Sequence, residues 1–376
     1  MKATTSTHRE RTEAEHTVLM TGAGAPGASG IVRSLRSNDD LDVRIVGVDM
    51  NEDVYGFSLV DAYDTIPAGG DGDYIPEMVD VAEREQADVI LPLTTAELRP
   101  LSANRDAFDA TVMVSDPGPL HNANDKGALY EFLDENGFAS TPEFRRVDSE
   151  STFVDAVESL GYPDEPVCFK PPVASGMRGF RILDERFDRL TRLLEKKPDE
   201  AVTTLSEIRP VLASADTFPE LVVMEYLPGE EYSVDVLAME NDVRPVVPRT
   251  RSRTRAGITF QGVVEKRADL IEEAAAITRG IGLEYNVNLQ FKHDGNGRPK
   301  LIEINPRVSG TIIMSVGAGA NLPALAVGYA LGQTPPQVDV QWGTRMSRYW
   351  QEVFHAPDGR TFFVDDERTS PPNTTS

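Results

Sequence analysis

The string Glu303-Ile304-Asn305-Pro306-Arg307 holds three side chains whose types and spacing suit phosphate and metal chemistry. Side chains alternate faces along a strand, so Glu303, Asn305 and Arg307 share one face while Ile302 and Ile304 take the other. Two apolar-rich runs, 286–291 and 300–304, flank a Gly/Asn/Asp-rich turn at 294–298, which predicts a β-hairpin. Pairing across that turn sets Gln290 opposite Glu303. The patch then offers one carboxylate, two amide oxygens and a guanidinium. Magnesium takes one or two carboxylates and completes a near-octahedral oxygen shell with substrate phosphates and water. The same string also suits a hairpin with an ordinary solvated face, so other residues must decide.

Several do bear on phosphate. A strand over 167–170 ends at Lys170 and enters a loop with Ser175, Gly176 and Gly179, followed by a strand over 180–183. Such a loop can fold over phosphates and donate backbone N–H groups, or simply close a hairpin. It is not a Walker A loop, because no G-K-[ST] follows and both flanks are strands. Lys126 falls in the first turn of a helix predicted to be capped by Asn122 or Asn124 and ended by Gly137. A lysine there opposes the helix dipole unless an anion is shared.

Pro228 and Gly229 interrupt two further strands. That break exposes backbone groups at Glu225, Tyr226 and Leu227 that could bind an adenine edge, and Glu231 could accept from a ribose. An ordinary turn is the alternative. Arg249, Arg251, Arg253 and Arg255 recur with period two, which on one strand puts four like charges on one face. An anionic substrate would relieve that repulsion, as would a high-salt solvent.

The elements that position these groups sit in a chain of 376 residues, long enough for two or three domains. Hydrophobic content of 40% is ordinary for a globular protein, and no apolar run nears the ~20 residues of a membrane span. The polar first fifteen residues read as a tail on a cytoplasmic protein. A net charge of −24 argues against nucleic acid, whose binders need a basic face. Only eight of the 37 basic residues are lysine, a balance that suits a protein solvated in high salt as well as an acidic mesophilic one. The single cysteine, Cys168, lies in a strand pattern and reads as a buried small hydrophobe.

The start of the chain alternates β and α patterns. Gly22, Gly24 and Gly27 link a strand at 16–21 to a helix, and Asp49 ends a second strand. Either a dinucleotide fingerprint with Asp49 on a ribose or a merely tight strand-to-helix turn fits. Further strands at 87–93 and 111–115 predict a parallel sheet covered on both faces.

Taken in order, Asp125-Lys126, FKPPVASGMRG, MEYLPGEEYSVDV, NLQF and IEINPRVSG resemble the ATP-grasp superfamily. Within it they are most similar to single-module carbamoyl-phosphate-synthase-like proteins and carboxylate–amine ligases. The resemblance covers roughly residues 16–355. It implies an α/β and α+β chain: a Rossmann-like pre-ATP-grasp domain at 16–118, then a two-subdomain ATP-grasp fold at 119–355. A small lid would span about 141–224, with tails at 1–15 and 356–376. The glycine loop then belongs to the first domain and not to a dinucleotide site.

The resemblance implies ATP with Mg2+, or Mn2+ in its place. Lys126 and Lys170 would contact phosphates beneath the loop of Ser175, Gly176 and Gly179. Glu225, Tyr226 and Leu227 would read adenine, and Glu231 the ribose. Gln290, Glu303 and Asn305 would ligate the metal, with Arg307 and Lys170 acting on the transferred phosphoryl group. Arg249, Arg251, Arg253 and Arg255 would suit an acidic substrate. The implied reaction joins a small-molecule carboxylate to an amine through an acyl phosphate and releases ADP and phosphate. The alternatives are phosphorylation of bicarbonate or carbamate, and a regulatory module that binds ATP without turnover. No nucleic acid or membrane partner is implied, and a homo-oligomer stays open. Met224 and Gln290 depart from the acidic residues that many relatives carry, although carbamoyl-phosphate synthases also use glutamine at the second position.

Overall fold

The computed structural model describes residues 14–174, 178–186, 188–195, 201–240, 242–255, 257–358 and 361–364. The first unit comprises β1 (His16–Thr21), α1 (Ala28–Arg36), β2 (Val43–Asp49), β3 (Ala62–Thr65), α2 (Tyr74–Arg84), β4 (Val89–Leu91), α3 (Thr95–Ala103) and β5 (Thr111–Val112). Its strands are parallel, in the order β3-β2-β1-β4-β5. Alternation sends side chains to two cores. Met20 and Ile45 meet Ile31 and Leu35 of α1, while Leu19 and Val46 meet Met78 of α2 and Leu98 of α3.

The glycine loop after β1 is braced from β2. The Asp49 carboxylate accepts from the backbone N–H of Gly24 (2.8 Å) and of Asn51 (3.0 Å). Both oxygens are thus engaged by the protein's own loops, which replaces the ribose contact of the dinucleotide alternative. Gly27 allows a close approach: a Cβ there would lie 2.5 Å from Gly310 Cα.

Two helices lead out of this unit, α4 (Pro117–Asn124) and α5 (Lys126–Glu135). The prolines of 116–119 open α4, because a helix's first turn has no use for their missing N–H groups. Asp125, not Asn122 or Asn124, caps α5, its side chain accepting from Ala128 N. A second unit, where the lid was expected, follows: β6 (Phe144–Val147), α6 (Glu150–Ser159), β7 (Val167–Lys170), β8 (Arg181–Leu183), α7 (Arg189–Glu195), β9 (Val202–Thr203), α8 (Leu205–Leu212) and β10 (Leu221–Glu225). They form one sheet, β6-β10-β7-β8-β9, over a core of Phe153, Val157, Phe169 and Val223.

The last unit comprises β11 (Glu231–Met239), β12 (Asp242–Thr250), β13 (Arg253–Arg255), β14 (Ile258–Val263), α9 (Ala268–Ile281), β15 (Tyr285–His293), β16 (Pro299–Asn305), α10 (Ile313–Gly317), α11 (Leu322–Ala330) and β17 (Arg345–Ser347). Strands β12-β11-β15-β16 make an antiparallel sheet, and β13-β14-β17 a smaller one. Leu270, Ala274, Ile277 and Ile281 recur at helical spacing on α9 and pack on Val234, Val236, Val287 and Leu289 of the larger sheet. Leu322, Ala326 and Val327 of α11 instead join the core of β1 and α1. A division at 118 therefore separates chain segments but not cores. No helix among the described residues is long and apolar enough to cross a membrane.

The four arginines do not share a strand face, because the chain bends after Thr250 and starts β13 afresh. Arg249 is 0% exposed and pairs with Asp235 (Nε to Oδ2, 2.8 Å). Asp235 also accepts from Asn288 Nδ2 (2.7 Å), Ser309 Oγ (3.0 Å) and Ser315 Oγ (2.8 Å). Burial alone would raise the Asp235 carboxyl, but Arg249 and the two hydroxyls hold it below the usual range. Arg249 is thus a core ion pair and not a substrate contact. Arg253 and Arg255 stay exposed. Asp235→Asn would leave the Arg249 charge buried without its partner, a loss of roughly 3–5 kcal/mol. Urea unfolding reads this directly, and a change below about 1 kcal/mol would contradict the buried pair's role.

Candidate active site

The β15–β16 hairpin builds the patch from its register. Gln290 lies opposite Glu303, and Asn288 opposite Asn305. Asn305 Nδ2 donates to Glu303 Oε1 (3.0 Å). Arg307, just past the strand, donates to Asn305 Oδ1 (3.3 Å), Val308 O (2.9 Å) and Thr95 Oγ1 (3.4 Å). Thr95 begins α3, so one guanidinium spans the first unit and the hairpin.

Two lysines approach the same carboxylate from other elements. Lys170, at the end of β7, is buried and donates to the Tyr130 hydroxyl (2.9 Å) and to Ile302 O (2.8 Å). Tyr130 in turn donates to Ile302 O (2.8 Å). Lys126 is also buried, and its ammonium donates to Ala174 O (3.1 Å). Its backbone N–H bonds Pro172 O (3.0 Å), tying the start of α5 to the chain that enters the glycine loop. Ser175 and Gly176 lie outside the described residues. Gly179 has φ +73°, and a Cβ there would press on the Pro171 ring, so glycine fits both its backbone and its neighbour.

Charge in this pocket is tuned by burial. Burial pushes Lys170 down, Lys126 adds repulsion, and Glu303 opposes both, leaving it at about 7. Lys126 and Arg307 are likewise lowered by burial against the pull of Glu303. Burial pushes the Cys168 thiol up to about 12, so it stays a neutral thiol between its strand neighbours.

The expected nucleotide contacts are less open. Tyr226 carries the Lys292 ammonium 5.5 Å from its ring centre, and Leu227 is buried. The Glu225 carboxylate accepts from Glu143 N (2.9 Å). Glu231 forms an ion pair with Arg251 (2.6 Å), so a ribose would meet that pair and not a lone carboxylate. Arg251 also donates to Gly257 O (2.9 Å).

Among the described residues no three His, Cys, Asp or Glu side chains gather, so a metal here would rely on one carboxylate. Glu303 is half-buried, and no cation pairs with it directly among the described residues. With the amides of Gln290 and Asn305 beside it, this donor set fits a hard, oxygen-seeking ion whose shell phosphates complete. Beside the patch opens a cleft of about 230 Å³ that runs to Ala25, Pro26 and Leu93 of the first unit.

Four contributors escape a motif search. Tyr130 is four residues after Lys126, the helical spacing that puts two side chains on one face, and that spacing could have found it. Ser233 and Asp235 alternate with valines in β11, a polar signal inside a core strand. Nothing in the sequence links Thr95 to Arg307 across 212 positions.

Comparisons with known proteins agree with this architecture. Residues 217–352 match the family model described as ATP-grasp in the biosynthetic pathway with Ter operon. Carnosine synthase 1 of Gallus gallus is 32% identical over 127 residues, 31% of this chain and 14% of that protein. The carbamoyl phosphate synthase large chain of Methanothermobacter thermautotrophicus is 26% identical over 285 residues, 70% of this chain and 25% of that one. This chain thus spans a quarter or less of either relative. The solved N5-carboxyaminoimidazole synthetase from Staphylococcus aureus, complexed with ADP, superposes with a TM-score of 0.65 at 17% identity. That match covers 87% of this chain and 80% of the other. The fold is the ATP-grasp fold, and within it residues 217–352 match an ATP-grasp family model.

Lys170 makes the electrostatics testable. Phosphates placed beside it favour its charged form, so its pKa rises from about 7 when a nucleotide binds. Between those two values binding takes up a proton, and affinity falls as pH rises. Calorimetry with ATP at pH 8 in buffers of different ionisation heats should show proton uptake, and Lys170→Met should abolish it while weakening binding. Equal heats across buffers for the unaltered protein would contradict the reading.

Proposed function

We propose that the protein is an ATP- and magnesium-dependent ligase that joins a carboxylate to an amine through an acyl phosphate. The observation that carries this is the convergence of Lys126, Lys170 and Arg307, from three separate elements, around Glu303 at the mouth of the cleft. Phosphoryl transfer asks for positioning and charge neutralisation more than for a nucleophile. Lys126 and Lys170 would hold the phosphates beneath the loop of Ser175, Gly176 and Gly179. Glu225, Tyr226 and Leu227 would meet the adenine, and Glu231 the ribose. Gln290, Glu303 and Asn305 would hold magnesium, which supplies charge neutralisation on the phosphates. Arg307 would orient the carboxylate toward the γ-phosphoryl group. The acyl phosphate must then be shielded from water until an amine attacks.

The similarity to a carbamoyl phosphate synthase over 70% of the chain favours a second reading, in which the same site phosphorylates bicarbonate or carbamate. One experiment separates the two. With an organic acid labelled with heavy oxygen in its carboxylate, amide formation should release ADP and carry one label into phosphate. Label-free phosphate with bicarbonate-dependent ADP release would favour the second reading. AMP and pyrophosphate would defeat both, since they require an adenylate.

A further inference from the structure

The cleft itself limits the acid. We propose that the acid partner is a small monocarboxylate with an uncharged, apolar body, and not an α-amino acid or a dicarboxylate. This rests on the ligase reading above and adds the substrate class to it. At about 230 Å³ the cleft lies below the ~300–1,000 Å³ of pockets for drug-sized ligands. Magnesium and the γ-phosphoryl group would occupy part of that space beside Gln290, Glu303 and Asn305. The floor cannot widen easily, because the backbone of Gly27 already meets that of Gly310 there without room for a Cβ on Gly27.

Charge fixes the rest. Arg307 spends three of its five N–H groups on Thr95, Val308 and Asn305, leaving two for one carboxylate. The other lining guanidinium, Arg251, is already matched by Glu231 at 2.6 Å and bonded to Gly257 O. A second carboxylate on the substrate would therefore meet no free cation among the described lining residues. An ammonium group would need an acidic partner, and among the described residues the only lining carboxylate is Glu303, which is proposed above to hold the metal. Of the remaining lining side chains, Ala25, Pro26, Ile31, Leu93, Ile258 and Val308 are apolar, while Asn288 and Ser309 already bond Asp235 and Thr311 is an uncharged hydroxyl. Burying a charged group against them without a partner carries a heavy desolvation cost.

The probes are isovalerate, valine, which carries the same skeleton with an ammonium group, and succinate. Each is titrated into the full chain saturated with magnesium and a non-hydrolysable ATP analogue, and binding is read by calorimetry. Isovalerate should bind at least about tenfold more tightly than either competitor. Leu93→Ala should shift preference toward a longer acid such as 4-methylvalerate while leaving the ATP analogue's affinity unchanged, and Ile258→Ala serves if that variant does not fold. Valine or succinate binding as well as isovalerate overturns the proposal, as does binding of none of the three while nucleotide binds. Failure of the nucleotide itself to bind overturns the ligase reading beneath it, a separate result.

Discussion

A carboxylate without water must find every hydrogen bond inside the protein, and Asp235 finds four partners on four elements. They are Arg249 of β12, Asn288 of β15, Ser309 after β16 and Ser315 of α10. A buried ion pair of this sort adds little net stability over an apolar substitute, yet removing one partner is costly. Its value here is geometric. It locks the segment after Arg307 to the sheet, and Gly310 of that segment meets Gly27 of the first unit. The distance between the glycine loop and the hairpin is thereby set.

The sheet behind it has two unlike faces. Val234, Val236, Leu289, Phe291 and Ile304 turn toward α9 and its core. Ser233, Asp235, Asn288, Gln290, Glu303 and Asn305 fall at the intervening positions, and cross-strand register aligns them into one polar strip. The strip begins as a closed structural network at Asp235 and ends as an open donor set at Glu303. Lys126 and Lys170 lean over that open end from α5 and β7. The Tyr130 hydroxyl bonds Lys170 and the carbonyl of Ile302, so the second unit and the hairpin share one buried contact.

Much of this was legible because strand alternation and turn chemistry are local. The hairpin, its register and the parallel first sheet follow from patterns a few residues long. Lys126 stood out because a lysine at a helix start opposes the dipole without an anion, and Lys170 because it enters a glycine-containing loop. The arginine row misled for the same reason that it caught the eye. Period two implies a shared face only while the strand continues, and a bend after Thr250 sent Arg249 inward and Arg255 outward. The cap of α5 falls at Asp125 and not at Asn122 or Asn124 because those asparagines are already within α4, which Pro117 opens. Long-range pairings such as Arg307 with Thr95 have no local signature at all.

The open end of this strip is proposed as a metal and phosphate site, with Glu303 as its one carboxylate. The most direct measurement is a manganese titration followed by electron paramagnetic resonance, in the presence of saturating ADP, on the unaltered protein and on Glu303→Ala. A metal held by a single protein carboxylate should lose at least about tenfold in affinity when that group is removed, since even outer-shell changes cost about 10–100-fold. Equal manganese affinity in the two proteins, with both folded and both binding ADP, would contradict the account.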